Sequence, residues 1–167
     1  MIVIFLKRLL LMMALVVLQV MVCNHIHFMG YATPMLYVLF LVHMPLNSNR
    51  IGNLVWAFVL GLIIDAFSNT PGEAVGALTL TAFVQWPLLH SLAPKEAFED
   101  MVPTYKNMGR WNHIRYMFIL VFTHHTAFYL LESFSFLHFT KLLISYGSSL
   151  LLTFVLMLIL ETMRHGK

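Results

Sequence analysis

Six apolar segments of roughly membrane-spanning length constrain this chain more than any other feature of its sequence. A bilayer core about 30 Å thick requires about 20 apolar residues in a helix. The sequence approaches that length repeatedly, and we predict an all-α polytopic membrane protein with a single integral membrane domain over residues 1–167. The predicted spans are residues 4–22, 30–46, 51–67, 74–91, 113–132 and 142–161, with a longer polar loop at residues 93–112.

The composition supports a membrane protein and excludes a typical soluble domain. Hydrophobic residues make up 60% of the chain and charged residues 10%, with a mean hydropathy of +0.82. A soluble domain carries about 25% charged residues, so too little polar surface is left here to cover a globule. The formal charge of +3 reflects Lys and Arg placed for membrane topology, and we expect no nucleic-acid partner.

The distribution of basic residues predicts the orientation of the six spans. With both termini on one side, nine of the ten Lys and Arg lie on that side and only Lys141 lies on the other. Cytoplasmic loops of membrane proteins are enriched in Lys and Arg. We therefore predict that both termini and loop 93–112 are cytoplasmic. That loop is predicted to form either a short amphipathic helix at the membrane surface or a solvated connection.

The stretch GLIIDAFSNTPGEAVGAL, residues 61–78, places one carboxylate, Asp65, at the end of an apolar helix. A polar turn follows, and Pro71 suits the first position of the next helix. Small residues allow two membrane helices to approach closely. We therefore predict a tight hairpin between the third and fourth helices, lined by Gly61, Gly72 and Gly76.

A second carboxylate, Glu132, ends the fifth predicted span at the same membrane depth as Asp65. Two interpretations are open. The two acids share a polar pocket at the outer end of the bundle, or each merely marks where its helix leaves the lipid, since the cost of a carboxylate falls toward the interface.

Nine histidines raise the question of metal or haem binding, and His124 and His125 lie in the middle of the fifth span. Adjacent residues point about 100° apart on a helix, so the pair is poorly placed to bind one ion. We predict no metal site and no cofactor, with one histidine acting as a hydrogen-bond partner inside the bundle. No catalytic motif is present, so no catalytic residue and no enzyme activity are predicted.

The hairpin stretch AFVLGLIIDAFSNTPGEAVGALTLTAF resembles the best-known segment of MreD, the family of rod shape-determining membrane proteins of bacteria. The segments TPMLYVLFLVHMPLNSNR and HHTAFYLLESFSF are similar to the second and fifth helices of that family, the latter to its Bacteroidetes type. The resemblance covers nearly the whole chain. The family pattern falls on Gly61, Asp65, Pro71, Gly72 and the Ala77–Leu78 pair.

The resemblance implies a non-enzymatic scaffold of the cell-wall elongation machinery in the bacterial cytoplasmic membrane. Its direct partner would be MreC, and the same machinery contains RodA, a class-B penicillin-binding transpeptidase and MreB. The family fold is also similar to the substrate-binding subunit of energy-coupling-factor transporters. A small-molecule-binding membrane subunit is therefore the alternative function.

Overall fold

The computed structural model describes residues 2–25, 32–45, 48–93, 102–133 and 139–165, and these residues form helices joined by short connections. Two 3₁₀ turns lie at Cys23–His25 and Leu36–Val38. The α-helices are α1 Ile2–Met21, α2 Leu39–Val42, α3 Arg50–Ser68, α4 Glu73–Leu92, α5 Tyr105–Met108, α6 Arg110–Ser133 and α7 Phe139–His165.

Five helices in the described part of the chain are long and apolar enough to cross a membrane. They begin at Ile2, Arg50, Glu73, Arg110 and Thr140. These are the first, third, fourth, fifth and sixth predicted spans, and the helix bounds agree with the prediction to within four residues. The protein is therefore an all-α membrane protein.

The second predicted span, residues 30–46, does not form a regular spanning helix in its described part. Residues 32–45, here called the central segment, contain only the 3₁₀ turn and the four residues of α2. Every residue from Leu36 to Val42 is buried. The regular helix predicted over residues 30–46 is not seen in residues 32–45, because hydropathy responds to an apolar run in the same way whether lipid or protein surrounds it.

The central segment runs parallel to α7 inside the bundle. Its first residues contact Ser149 and Thr153, and His43 near its end contacts Glu161. Between Ser149 and Glu161 an α-helix rises about 18 Å, so the segment covers more than half of a bilayer core. Irregular backbone at membrane depth is tolerated where protein surrounds it, and the burial of this segment meets that condition.

The long helices surround the central segment, and α4 packs extensively on both α3 and α6. Helix α7 packs on α6, and α1 packs on α3. Lys7 near the start of α1 and Arg164 near the end of α7 line one groove, so both terminal helices begin or end at the same end of the bundle.

The two ends of the bundle differ in charge. We call one the basic end, because seven of the eight described Lys and Arg lie there: Lys7, Arg8, Arg50, Lys106, Arg110, Arg115 and Arg164. We call the other the acidic end, because Asp65, Glu73 and Glu132 lie there, together with Lys141 in the first turn of α7.

The polar loop predicted at residues 93–112 ends earlier than predicted and contains a short helix. Helix α5 begins after Thr104, whose hydroxyl accepts a hydrogen bond from the Asn107 N–H, and α6 begins at Arg110 instead of residue 113. The predicted amphipathic helix covers residues 95–110. Residues 95–101 lie outside the described residues, and between residues 102 and 109 only Tyr105–Met108 are helical.

Candidate functional site

Asp65 caps the N-terminus of α4. Its Oδ1 accepts hydrogen bonds from Thr70 Oγ1 at 2.7 Å and from the Ala74 N–H at 2.9 Å, and its Oδ2 accepts one from the Val75 N–H at 3.0 Å. The side chain is 8% exposed. The first N–H groups of a helix have no partner within the helix and carry partial positive charge. The carboxylate at the end of α3 therefore satisfies the start of α4.

The turn between α3 and α4 requires particular backbone conformations. Asn69 ends α3 in the left-handed region at φ 57°, and Gly72 precedes α4 at φ 89°. Glycine adopts such angles without a steric penalty. Pro71 lies exposed in the turn, two residues before the first residue of α4, so it does not occupy the predicted first helical position.

Gly61 allows the backbones of α3 and α4 to touch. A Cβ at this position would lie 2.5 Å from Val75 Cα and 2.8 Å from Val75 N. Both atoms belong to the backbone, so no side-chain rotation relieves the overlap. This geometry agrees with the prediction of a tight hairpin whose helices approach through a small residue.

Gly76 contacts a different helix from the one predicted. A Cβ there would lie 2.6 Å from Leu131 Cδ1, which belongs to α6. The prediction that Gly76 lines the α3–α4 contact was therefore wrong. Gly61 and Gly76 serve two separate interfaces of α4, because α4 lies between α3 and α6.

Glu132 lies at the acidic end but does not share the hydrogen bonds of Asp65. It is half-buried, its Oε2 has no hydrogen-bond partner among the described residues, and Glu73 on α4 is close enough to repel it. It lines a cavity of about 250 Å³ together with Thr70, the hydroxyl partner of Asp65. Asp65 itself does not line this cavity, so the structure does not bring the two carboxylates together in one pocket.

The cavity has mixed polar and aromatic walls, and the central segment forms one side of it. Tyr37 contributes a hydroxyl that is buried and has no hydrogen-bond partner in the described part of the chain. Unpaired buried polar groups are costly unless water or a ligand satisfies them. The side chains that line the cavity include Gln19, Asn24, Tyr37, Ser68, Tyr129 and Glu132.

Polar side chains from the long helices hold the irregular backbone of the central segment. Gln19 on α1 donates to the Pro34 carbonyl at 2.9 Å and accepts from the Leu36 N–H at 3.0 Å. Gln85 on α4 donates to the Leu41 carbonyl at 2.7 Å. The two bonds of Gln19 satisfy backbone groups that a regular helix would have paired internally. The bond of Gln85 adds to the one that the Leu41 carbonyl already accepts from the Met44 N–H, and buried backbone groups require such partners.

Helix α7 supplies the other side of this support. Ser149 Oγ accepts from the Thr33 N–H at 3.0 Å, and Thr153 Oγ1 accepts from the Met35 N–H at 3.0 Å. The sequence reasoning did not single out Gln19, Gln85, Ser149 or Thr153. The two buried glutamines within apolar helices were the available signal, because polar side chains inside a span face the bundle interior.

The two central histidines are both buried. His125 Nδ1 lies 2.9 Å from the Val121 carbonyl and its Nε2 lies 3.2 Å from Thr153 Oγ1, so it makes the hydrogen bonds predicted for one histidine. His124 has no hydrogen-bond partner in the described residues and meets the Tyr37 ring edge-on at 5.2 Å between centroids. Across the described residues, no cluster of three or more His, Cys, Asp or Glu is arranged to hold a metal ion.

Glu161 organises the basic end, a role that we did not predict from the sequence. It is 1% exposed, and His43 Nε2 lies 3.1 Å from its Oε2. His113 Nε2 and an Arg164 guanidinium nitrogen lie 3.4 Å and 3.6 Å from its Oε1. One carboxylate therefore joins the central segment, α6 and α7. Nearby, burial is the main cause that raises the pKa of Tyr105.

Comparisons with known proteins find no relative. No protein-family model matches the chain, and neither the search of curated proteins nor the search of solved structures finds a match. The resemblance to MreD therefore stays a prediction from the sequence segments described above.

Proposed function

We propose that this protein is a non-enzymatic membrane scaffold of the bacterial cell-wall elongation machinery that maintains rod shape through association with MreC. The capped hairpin is the observation that supports the proposal most directly. Asp65 holds the start of α4, and Gly61 allows the close approach of α3 and α4. Both residues belong to the resemblance, and both have structural contacts, as a scaffold would require.

In this proposal the protein lies in the cytoplasmic membrane with six crossings and both termini in the cytoplasm. Seven of the eight described Lys and Arg lie at the basic end, and the enrichment of Lys and Arg in cytoplasmic loops supports this orientation. The central segment provides the second crossing, shielded from lipid by the surrounding helices. RodA, the class-B penicillin-binding transpeptidase and MreB are expected in the same machinery.

The outer surface of the bundle suits an integral membrane scaffold. Of the most apolar 18 residues in α1 and in α7, only 22% are buried inside the protein, whereas 50% of those in α6 are buried. The exposed side chains of α1 include Ile4, Leu10 and Val17. These faces are available to lipid or to the membrane helix of MreC.

The experiment that tests the proposal has two readouts on one strain. The full chain is expressed in rod-shaped cells that lack their native MreD, and cell shape and co-purification with MreC are measured. We expect restored rods and recovery of MreC with the protein. Round cells without MreC recovery, at an expression level confirmed by blot, would contradict the proposal.

The cavity at the acidic end favours a second candidate function, a small-molecule-binding membrane subunit similar to the substrate-binding component of energy-coupling-factor transporters. It offers about 250 Å³, a carboxylate at Glu132 and a Tyr37 hydroxyl that has no partner among the described residues. Such walls suit a small polar molecule that carries an amine. Saturable binding of such a molecule that Glu132→Gln abolishes, without any MreC association, would favour this function over the scaffold.

A further inference from the structure

A groove of about 450 Å³ lies at the basic end, on the opposite end of the bundle from the cavity described above. Helix α1 forms one wall. His43 and Pro45 of the central segment, Val102 and Arg164 contribute to the others. The groove therefore lies where three separately placed parts of the chain meet α1.

The wall on α1 combines charge with apolar surface in a regular pattern. Ile4, Lys7, Arg8 and Leu11 line the groove, at spacings of three, one and three residues. Residues three, four and seven apart on a helix share a face. Two cations thus lie between two branched apolar side chains along one stripe of the helix.

The positive charge on this wall has no acidic partner among the described residues. Glu161 already lies within 4 Å of His43, His113 and Arg164. Neither Lys7 nor Arg8 takes part in an ion pair within the described residues, and Arg8 Nε is buried without a hydrogen-bond partner there. Within the described part of the chain, the groove therefore presents positive charge that suits an anionic ligand.

We propose that the groove binds an anionic phospholipid, with its phosphodiester between Lys7 and Arg8 on one side and Arg164 on the other. The apolar side chains Ile4, Leu11 and Val102 would contact the upper part of its acyl chains. Basic pockets between membrane helices bind anionic headgroups by this combination. A free phosphate offers the same charge but no chains, and a zwitterionic lipid offers chains without net charge.

Native mass spectrometry of the purified, delipidated full chain in neutral detergent measures the binding, with phosphatidylglycerol, phosphatidylcholine and inorganic phosphate as separate probes. We expect one tightly bound phosphatidylglycerol. In Lys7→Gln/Arg8→Gln we expect its affinity to fall about fivefold per removed charge, or about 25-fold. The matched control, Arg110→Gln/Arg115→Gln, removes two exposed charges at the same end outside the groove and should bind as the unaltered chain does.

A second pair of variants tests the apolar part of the groove while both cations stay in place. Leu11→Trp fills the groove and should weaken phosphatidylglycerol binding at least tenfold, whereas Leu10→Trp, on the exposed face of α1, should not. If the melting temperature shows that Lys7→Gln/Arg8→Gln does not fold, this second pair still tests whether the lipid binds in the groove.

Four results would overturn the proposal. Equal affinity for phosphatidylcholine would remove the role of charge. Inorganic phosphate that displaces the lipid completely at comparable concentration would assign the site to a free anion. Unchanged lipid binding in Leu11→Trp, or an equal loss in the Arg110/Arg115 control, would place the lipid outside the groove.

Discussion

Asp65 Oδ2 and the Val75 N–H, ten residues apart in the sequence, lie 3.0 Å from each other across the junction of two helices. Four residues before Asp65, Gly61 brings α3 within contact of the Val75 backbone. The backbone of Val75 is therefore contacted both by the Asp65 carboxylate and by α3 at Gly61. The hairpin is fixed by two contacts at one point, and this makes it sensitive to small changes at either residue.

Gly61→Ala should destabilise the protein by about 1–3 kcal/mol, because the new methyl group meets backbone atoms that cannot rotate away. Gly147→Ala is the matched control: Gly147 lies within α7, and a Cβ there has no neighbour within 4 Å. It should be neutral or stabilise the helix by up to about 1 kcal/mol. Thermal unfolding in detergent measures both. Equal stability of the two variants would mean that α3 and α4 do not touch at Gly61.

Gly76→Leu should destabilise the contact between α4 and α6, because the larger side chain enters the space of Leu131. The second substitution Leu131→Ala should restore much of the lost stability by vacating that space. A double-mutant cycle of melting temperatures measures the coupling. If the losses of stability in the two single variants simply add in the double variant, Gly76 does not face Leu131 and lies at another interface.

Thr153→Val should cost about 1–3 kcal/mol, because it leaves the buried Met35 N–H and the His125 ring without their hydroxyl partner. Thr123→Val is the control of identical shape, since the Thr123 hydroxyl donates only to the Ile119 carbonyl of its own helix. We expect a change within about 0.5 kcal/mol there. A harmless Thr153→Val would contradict the assigned support of the central segment.

A reporter that is active only in the cytoplasm, fused to Lys167, should be active. The basic end carries Arg164 as well as Lys7 and Arg8 from the other terminus, so one compartment should receive both termini. Fusion after Asn69, in the turn at the acidic end, is the opposite control and should be silent. A silent fusion at Lys167, at normal expression, would reject six crossings with cytoplasmic termini.

The hairpin was predictable from the sequence because its determinants are local. Asp65, the polar turn and Gly72 lie within eight residues of one another, and turn chemistry depends on such neighbours. The partner of Gly76 was not predictable, since a small residue on a helix indicates close contact without indicating which helix provides it.

The central segment was not predictable for a different reason. Its apolar run has the length and hydropathy of a spanning helix, and its irregular backbone depends on hydrogen bonds to residues far along the chain. Gln85 lies 44 residues from Leu41, and Thr153 lies 118 residues from Met35. Glu161 was missed likewise, because the histidines that meet it come from two other parts of the chain.

In the proposed function, Asp65, through its cap on α4, holds the hairpin that the scaffold needs. Asp65→Leu removes all three hydrogen bonds, whereas Asp65→Asn keeps a carbonyl oxygen that can accept from α4, so Asn should be the milder change. Leaving the buried N–H groups unpaired should cost about 1–3 kcal/mol. Because Asp65 is buried, we expect a crosslinker at this position to reach α4 and not MreC.

The most direct measurement is the shape of cells that lack their native MreD and express Asp65→Leu, with protein level checked by blot and recovery of MreC measured in parallel. We predict rounded cells and reduced MreC recovery at normal expression of the variant, and near-normal rods with Asp65→Asn. Rod-shaped cells with full MreC recovery from Asp65→Leu would contradict the account.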